Sequence, residues 1–311
     1  MQNKFRYLPF MSGTYSTAPG LSILEKADDE QDKLVFQVDE KYDRYIDNKQ
    51  ACRKEDIQKY YLESDLSVGT IQLVNEFIAN RLVLEKPDVY SLSVDRIFRN
   101  SLRNEEIQVD SDWASLKGSE YLSVFDALCN QVQEDMAVFQ LKEEGDYLAS
   151  IHLCSPNHWS PADKIGKPFD AIHKPVADMS ETITRYPAML KSIVERKGPF
   201  TRFAWGIGTD DRLNHHSIAP KGICQSDWEG RSIDADNQAI YLRVERQNLI
   251  GFPEANAFLF TIRTFFYEVN SLDFLEKQNL WEAVKTMTPA SLKYKGIDRL
   301  LPVLEKRLTT I

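Results

Sequence analysis

The chain has 311 residues, 42% of them hydrophobic, with 38 Lys and Arg against 47 Asp and Glu and a net charge of −9. That composition excludes disorder, collagen and coiled coil as overall descriptions, and the acidic balance argues against nucleic-acid binding. No run approaches the roughly 18 uninterrupted apolar residues of a membrane span, and the opening Met1-Gln2-Asn3-Lys4-Phe5-Arg6 lacks a signal-peptide core. Four cysteines, Cys52, Cys129, Cys154 and Cys224, stand far apart with no C-x-x-C pair. They predict reduced, buried thiols in a cytoplasmic protein.

Residues 1–24 read as loop, with Ser12-Gly13 and Pro19-Gly20 as turn signals. From about 40 to 104 the pattern is mostly helical; Ile71, Val74, Phe77, Ile78 and Leu82 recur at helical spacing. A further helix is expected over 119–135, with Ser119 as its cap. The period then changes. Residues 136–142 and 146–153 alternate as strands around Glu143-Glu144-Gly145, a hairpin signal. Ser160-Pro161-Ala162-Asp163 starts a short helix, and Pro168 and Pro175 bracket another over Phe169-Asp170-Ala171-Ile172-His173. A helix over 187–197 closes at Gly198-Pro199. Strand-like runs follow at 200–207, 239–247 and 257–267, and 271–311 returns to helix.

Two strands, short helices, then three strands predict an α+β protein: an antiparallel five-stranded sheet with helices over one face. That is the element order of the PAS fold. The expected organisation is a helical wrap over 1–118, a PAS-like core over 119–268 and a C-terminal helical segment over 269–311.

Missing motifs prune the chemistry. There is no G-x-S-x-G elbow, no H-E-x-x-H helix and no Walker loop. Gly206-Ile207-Gly208-Thr209-Asp210-Asp211 begins like a dinucleotide fingerprint, but Asp211 replaces the third glycine and two carboxylates would meet the pyrophosphate. It reads as a turn. His152, Cys154, His158 and His173 are ligand types that zinc accepts, without the tight knuckles of structural zinc. The alternative makes His152 and Cys154 satisfied interior residues. His173 lies four residues after Phe169, so both share one face of a rigidly bracketed helix. An axial haem ligand needs such an imidazole, an apolar slot and cations for two propionates. Lys164, Lys167 and Lys174 cluster nearby in sequence, and could equally be solvated. On the strand 239–247, Arg243 and Glu245 alternate with Val244 and Arg246; Arg263 interrupts the apolar run 258–266. Buried arginine needs a partner, and Glu245 is the expected one, either as a structural pair or as a polar pocket corner.

Several blocks together carry a resemblance. Trp159-Ser160-Pro161-Ala162-Asp163-Lys164-Ile165-Gly166-Lys167-Pro168 runs on to Ile172-His173-Lys174-Pro175-Val176. Gln133-Glu134-Asp135, Arg202-Phe203-Ala204-Trp205 and Leu242-Arg243-Val244-Glu245-Arg246-Gln247-Asn248-Leu249 accompany them. Phe260-Thr261-Ile262-Arg263-Thr264, Tyr294-Lys295-Gly296, Leu8-Pro9-Phe10, Gly20-Leu21 and Asp39-Glu40-Lys41-Tyr42 extend the series over nearly the whole chain. The sequence resembles the haem-dependent oxidative N-demethylase alpha-subunit-like family.

The resemblance implies haem b in a PAS-like domain, with His173 as the proximal iron ligand. It implies oxidation of a secondary amine such as dimethylamine with O2 to a primary amine and formaldehyde. Electrons would come from NADPH through separate flavin and iron–sulfur subunits, a reductase or ferredoxin-type partner. Expected cofactor contacts are Trp159, Lys164, Lys167, Phe169 and Arg202; expected catalytic groups are Arg243, Glu245, Arg246 and Arg263. The chain departs from the family at Leu153-Cys154-Ser155-Pro156-Asn157-His158-Trp159, longer than the usual Phe-Pro-Ser-Ser-Trp, and at Asn248 in place of threonine. Rival expectations are a PAS-type haem sensor and a haem-free structural relative.

Overall fold

In a computed structural model, residues 6–229 and 238–309 are described; the opening residues 1–5 read above lie outside them. Two antiparallel sheets organise the chain. The larger has strands β1 (Ser22–Ile23), β2 (Tyr61–Glu63), β7 (Asp135–Lys142), β8 (Gly145–His152), β9 (Phe200–Gly208), β10 (Tyr241–Phe252) and β11 (Ala257–Glu268). Their spatial order is β1-β9-β10-β11-β7-β8-β2. The five expected strands therefore lie side by side, and an edge strand at each end makes seven.

The N-terminal part departs further from expectation. Helices α1 (Tyr42–Tyr60) and α2 (Val68–Glu85) form as read. Residues 86–118 instead make a second sheet of β3 (Tyr90–Leu92), β4 (Ile97–Asn100), β5 (Glu105–Val109) and β6 (Leu116–Lys117). These strands are too short to show a period, yet Phe98, Ile107 and Val109 are buried against Val74, Ile78 and Leu82 of α2. The helix expected over 119–135 shrinks to α3 (Val124–Cys129), capped by Ser123 rather than Ser119. The Asp126 carboxylate there accepts from the Leu122 amide and both Arg53 Nη1 contacts, so side-chain bonds replace further helical turns.

Two short elements cover one face of the large sheet. They are α4 (Phe169–His173) and α5 (Ser180–Arg196), whose Phe169, Ile172, Leu190, Ile193 and Val194 pack on Ala137, Phe139, Leu249, Phe258 and Ile262. Gly251 permits the closest approach: a Cβ there would lie 2.3 Å from the Ile193 carbonyl oxygen. After α6 (Gln225–Glu229), the C-terminal helices α7 (Phe274–Lys285), α8 (Pro289–Lys295) and α9 (Leu301–Thr309) complete the chain. Leu280, Val284, Leu304 and Leu308 share a core with Leu242 and Val244 of β10. Three of the four thiols are buried; Cys224 is exposed, against expectation.

The sheet's opposite face holds the N-terminal segment. Arg246 and Arg263 are direct cross-strand partners and are 1% and 0% exposed. Arg246 Nη2 donates to the carbonyls of Asp32 and Leu34, and Asn248 to that of Val35. Arg263 pairs with Asp39 at 2.8 Å and lies 4.0 Å over the Tyr45 ring. Its counter-ion is thus Asp39, which corrects the expected Glu245: alternation along β10 sends Glu245 to the other face. Burial opposes charge on Asp39, but Arg263, Gln133 and the Lys41 amide outweigh it and hold the carboxyl below its ordinary value.

Replacing Asp39 with Asn leaves a buried guanidinium without its counter-charge. Loss of one partner of a buried pair costs about 3–5 kcal/mol, and the partial exposure of Asp39 puts this site near the lower end. Because the folded-state value is depressed, the stabilisation is complete above the unfolded carboxylate value near ~4 and is lost as pH falls through the folded one. Urea melts of both proteins at pH 7 should differ, and should converge in acid.

Candidate functional site

The face beneath α4 and α5 encloses a cavity of about 270 Å³. Ala137, Phe139, Ile151, Leu249, Phe258 and Ile262 supply apolar walls. Antiparallel register sets the polar contribution in rows: Arg202 lies beside Gln247 and Ile262, and Ala204 beside Glu245 and Thr264. Rows two residues apart share a face, so Arg202, Glu245 and Gln247 project together from the sheet.

His173 faces these strands from α4. Its Nδ1 lies 2.8 Å from the Phe169 carbonyl oxygen, four residues earlier, so that nitrogen carries the proton and donates it. Nε2 then carries the ring's lone pair, and the residue lines the cavity. The ring stacks on Phe169 with centroids 3.9 Å apart, and Phe169 stacks in turn on Tyr186 of α5. Burial lowers the His173 value to about 4, beyond the opposing effect of the Phe169 carbonyl. The imidazole is neutral at physiological pH.

Two cations border the cavity. Lys164 Nζ sits 3.9 Å over the Trp159 ring, and burial brings its value down to about 8 against the pull of Glu245. Arg202 Nε is buried with no hydrogen-bond partner. Glu245 Oε1 accepts from Arg243 Nε at 3.4 Å and Oε2 from Gln247 Nε2 at 3.0 Å, which fixes the carboxylate at the wall.

The site therefore combines a neutral, carbonyl-oriented imidazole, apolar walls, bordering cations and one held carboxylate. Residues 26–304 match the family described as haem-dependent oxidative N-demethylase, alpha subunit-like, and the chain belongs to that family. The description implies dependence on haem and other subunits beside an alpha subunit.

Of the residues singled out in the sequence, His173, Phe169, Trp159, Lys164, Arg202 and Glu245 line this cavity. Arg243 and Lys167 line an adjoining one. Lys174 is exposed and lines neither. Arg246 and Arg263, expected in the same polar wall, are on the opposite face of the sheet, where they bind the N-terminal segment. The cause is parity: a strand presents odd and even positions to opposite sides, and cross-strand pairing puts Arg263 with Arg246.

The possible zinc set also divides. Among the described residues, Asp135, His152 and Cys154 come close enough to share an ion, all buried, while His158 and His173 do not join them. Each has protein partners already. Asp135 accepts from the amides of Cys154 and Ser155, and His152 Nε2 meets Asp126 at 3.2 Å. Burial keeps the Cys154 thiol well above its usual value.

Sequence reasoning missed the pairing of Asp210 with His215, 2.8 Å apart in the loop after β9. The one available signal was an acid five residues from a His-His pair in a stretch without strand or helix period.

The His173 ring resonance, assigned by its loss in His173→Asn, should titrate near pH 4 and not near the ordinary ~6.5. Its contribution to stability is complete above the unfolded value and declines as pH falls toward the folded one, since the unfolded chain takes the proton first. A ring titrating near 6.5 contradicts the desolvation of the imidazole at this cavity.

Proposed function

We propose that the chain binds haem b through His173 and carries out oxidative N-demethylation of a small secondary amine, dimethylamine-like, with O2. The observation that carries the reading is the His173 imidazole, which lines the cavity and whose Nδ1–H is held by the Phe169 carbonyl, leaving Nε2 as the acceptor. Metal-bound histidines are oriented by this kind of outer hydrogen bond. The side-by-side order β9-β10-β11-β7-β8 supports a PAS-like core.

The residues fit the group. His173 would hold the iron, and Phe169 and Trp159 would border the macrocycle. Arg202, with its unmatched Nε, and Lys164 would meet the propionates, with Lys167 at the exposed rim. Haem, when bound, supplies O2 activation and one-electron chemistry.

Glu245 binds the substrate ammonium and can receive its proton at Oε1 or Oε2. Arg243 and Gln247 keep that carboxylate from rotating away. The apolar walls exclude water from the N-methyl group, and the products are a primary amine and formaldehyde. Electrons originate in NADPH and arrive from a separate flavin and iron–sulfur partner. Free buried thiols at Cys52, Cys129 and Cys154 suit a reducing, cytoplasmic setting.

Titration with haem should yield a Soret band at about one haem per chain, as a single axial histidine requires. His173→Ala should lose haem or change its spin state, while His216→Gln should retain the wild-type spectrum. A wild-type spectrum in His173→Ala refutes the assignment. In haem-loaded protein, Glu245→Gln should keep the Soret band and weaken the dimethylamine-induced spectral shift at least tenfold, equivalent to about 1.4 kcal/mol. Formaldehyde should form only when an electron-transfer partner accompanies NADPH. Haem binding with no product under either condition would favour a sensor.

A further inference from the structure

The adjoining cavity, about 380 Å³, has walls unlike those of the His173 cavity. Asn157, Trp159, Lys164 and Ile172 border both. Two deeply buried polar groups on its wall are incompletely satisfied. Arg243 is 4% exposed. Its Nη2 donates to the Ser155 carbonyl at 2.6 Å and to Thr264 Oγ1 at 3.2 Å, while Nη1 has no protein partner. His215 is 5% exposed; Nε2 meets Asp210 Oδ1 at 2.8 Å, and Nδ1 has no partner. Leaving such groups unmatched is costly, and these two side chains line one and the same cavity.

We propose that this cavity is a carboxylate-binding site, in which one ligand oxygen takes the Arg243 Nη1–H and the other takes a proton held on His215 Nδ1. The placement follows from charge and shape. Lys164, Lys167 and Lys295 line the same space, against Asp163 and Asp210. Asp210 is already engaged by His215 and Arg212. An anion is the ligand this balance selects. The Phe266 ring, 5.3 Å from the Arg243 guanidinium carbon, and Ile172 make part of the wall flat and apolar. That favours a carboxylate on an organic group over inorganic phosphate.

Room for the ligand comes from Gly206. It is the β9 residue opposite Arg243 in the register, and a Cβ built there meets nothing within 4 Å.

Binding requires a proton on His215. The groups facing its ring are Asp210, Arg212 and Arg243, with the His158 ring 5.1 Å away; Tyr294 closes the far wall. Burial lowers the His215 value in the free protein, against the pull of Asp210. An arriving carboxylate opposes that burial cost and draws a proton onto Nδ1, with Asp210 stabilising the cation across the ring. Binding is therefore accompanied by proton uptake and tightens as pH falls.

The carboxylate has two possible sources: a propionate of haem seated in the next cavity, which rests on the function proposed above, or a free small carboxylate. One set of titrations separates them. The probes are acetate, haem and haem dimethyl ester, added to wild type, Arg243→Gln and Gly206→Leu. The leucine variant fills the cavity without removing the bonds of Arg243 to Ser155 and Thr264, and circular dichroism checks the folding of both.

A free-carboxylate site gives acetate binding to wild type, with proton uptake by calorimetry in two buffers, weakened at least tenfold in both variants. A propionate site gives haem binding weakened at least tenfold in both, with binding of the dimethyl ester unchanged. Folded variants that match wild type for acetate and for haem overturn the proposal, as does a wild type that binds neither. A wild type that binds acetate but not haem sinks the haem reading and leaves this one standing.

Discussion

Two guanidinium groups lie side by side in the middle of the large sheet, and the rest of the molecule is arranged around keeping them there. Arg246 and Arg263 face each other across neighbouring strands, a like-charge pairing that a sheet does not tolerate unaided. The compensation comes from chain far away in sequence. The carbonyls of Asp32 and Leu34, the Asp39 carboxylate and the Tyr45 ring all converge on this pair. Glu134 is wholly buried beside them, its carboxyl pushed up by burial against the pull of Arg263 and Arg246, and it fixes the Gln37 amide. The segment that leads into α1 is thereby fastened to the back of the sheet.

That fastening separates two uses of charge. On the back of β10 and β11, arginines act as structural anchors: Arg246 Nη2 is held by two backbone carbonyls and Arg263 Nη2 by the Asp39 carboxylate. On the front, at the odd positions of β10, Glu245 and Arg243 line cavities. Arg243 connects the two spaces, since its Nε holds Glu245 at the first cavity while its side chain lines the second. An anion on Nη1 would compete for the charge that Glu245 leans on. With both proposed ligands, occupancy of one cavity and cation binding in the other would be coupled, and reciprocally so.

The parts of the fold visible in the sequence are those with long, regular periods. Strands β7 to β11 fall within a few residues of their expected positions, and the proline-bracketed α4 carries His173 as read. What escaped was short or long-range. The sheet over 86–118 has strands of two to five residues, and its burial depends on α2, which no local pattern reveals. Within the site, apolar walls and His173 were legible because helix and strand periods put them on known faces. The partner of Arg263 was not, because strand parity excludes Glu245 and the true partner lies 224 residues away. The Asp210–His215 pair sits in irregular backbone, where no period points to it.

One missing side chain governs how wide the first cavity can be. At Gly251 the α5 backbone comes so near β10 that even a methyl group would collide with the Ile193 and Val194 carbonyls. Helix α5 carries Tyr186, which stacks on Phe169, which stacks on His173. The gap between imidazole and sheet is thus gauged by backbone touching backbone, at a point that contacts no ligand. A methyl group at this position would lift the helix and carry the imidazole with it, resizing the slot while leaving every lining residue the same.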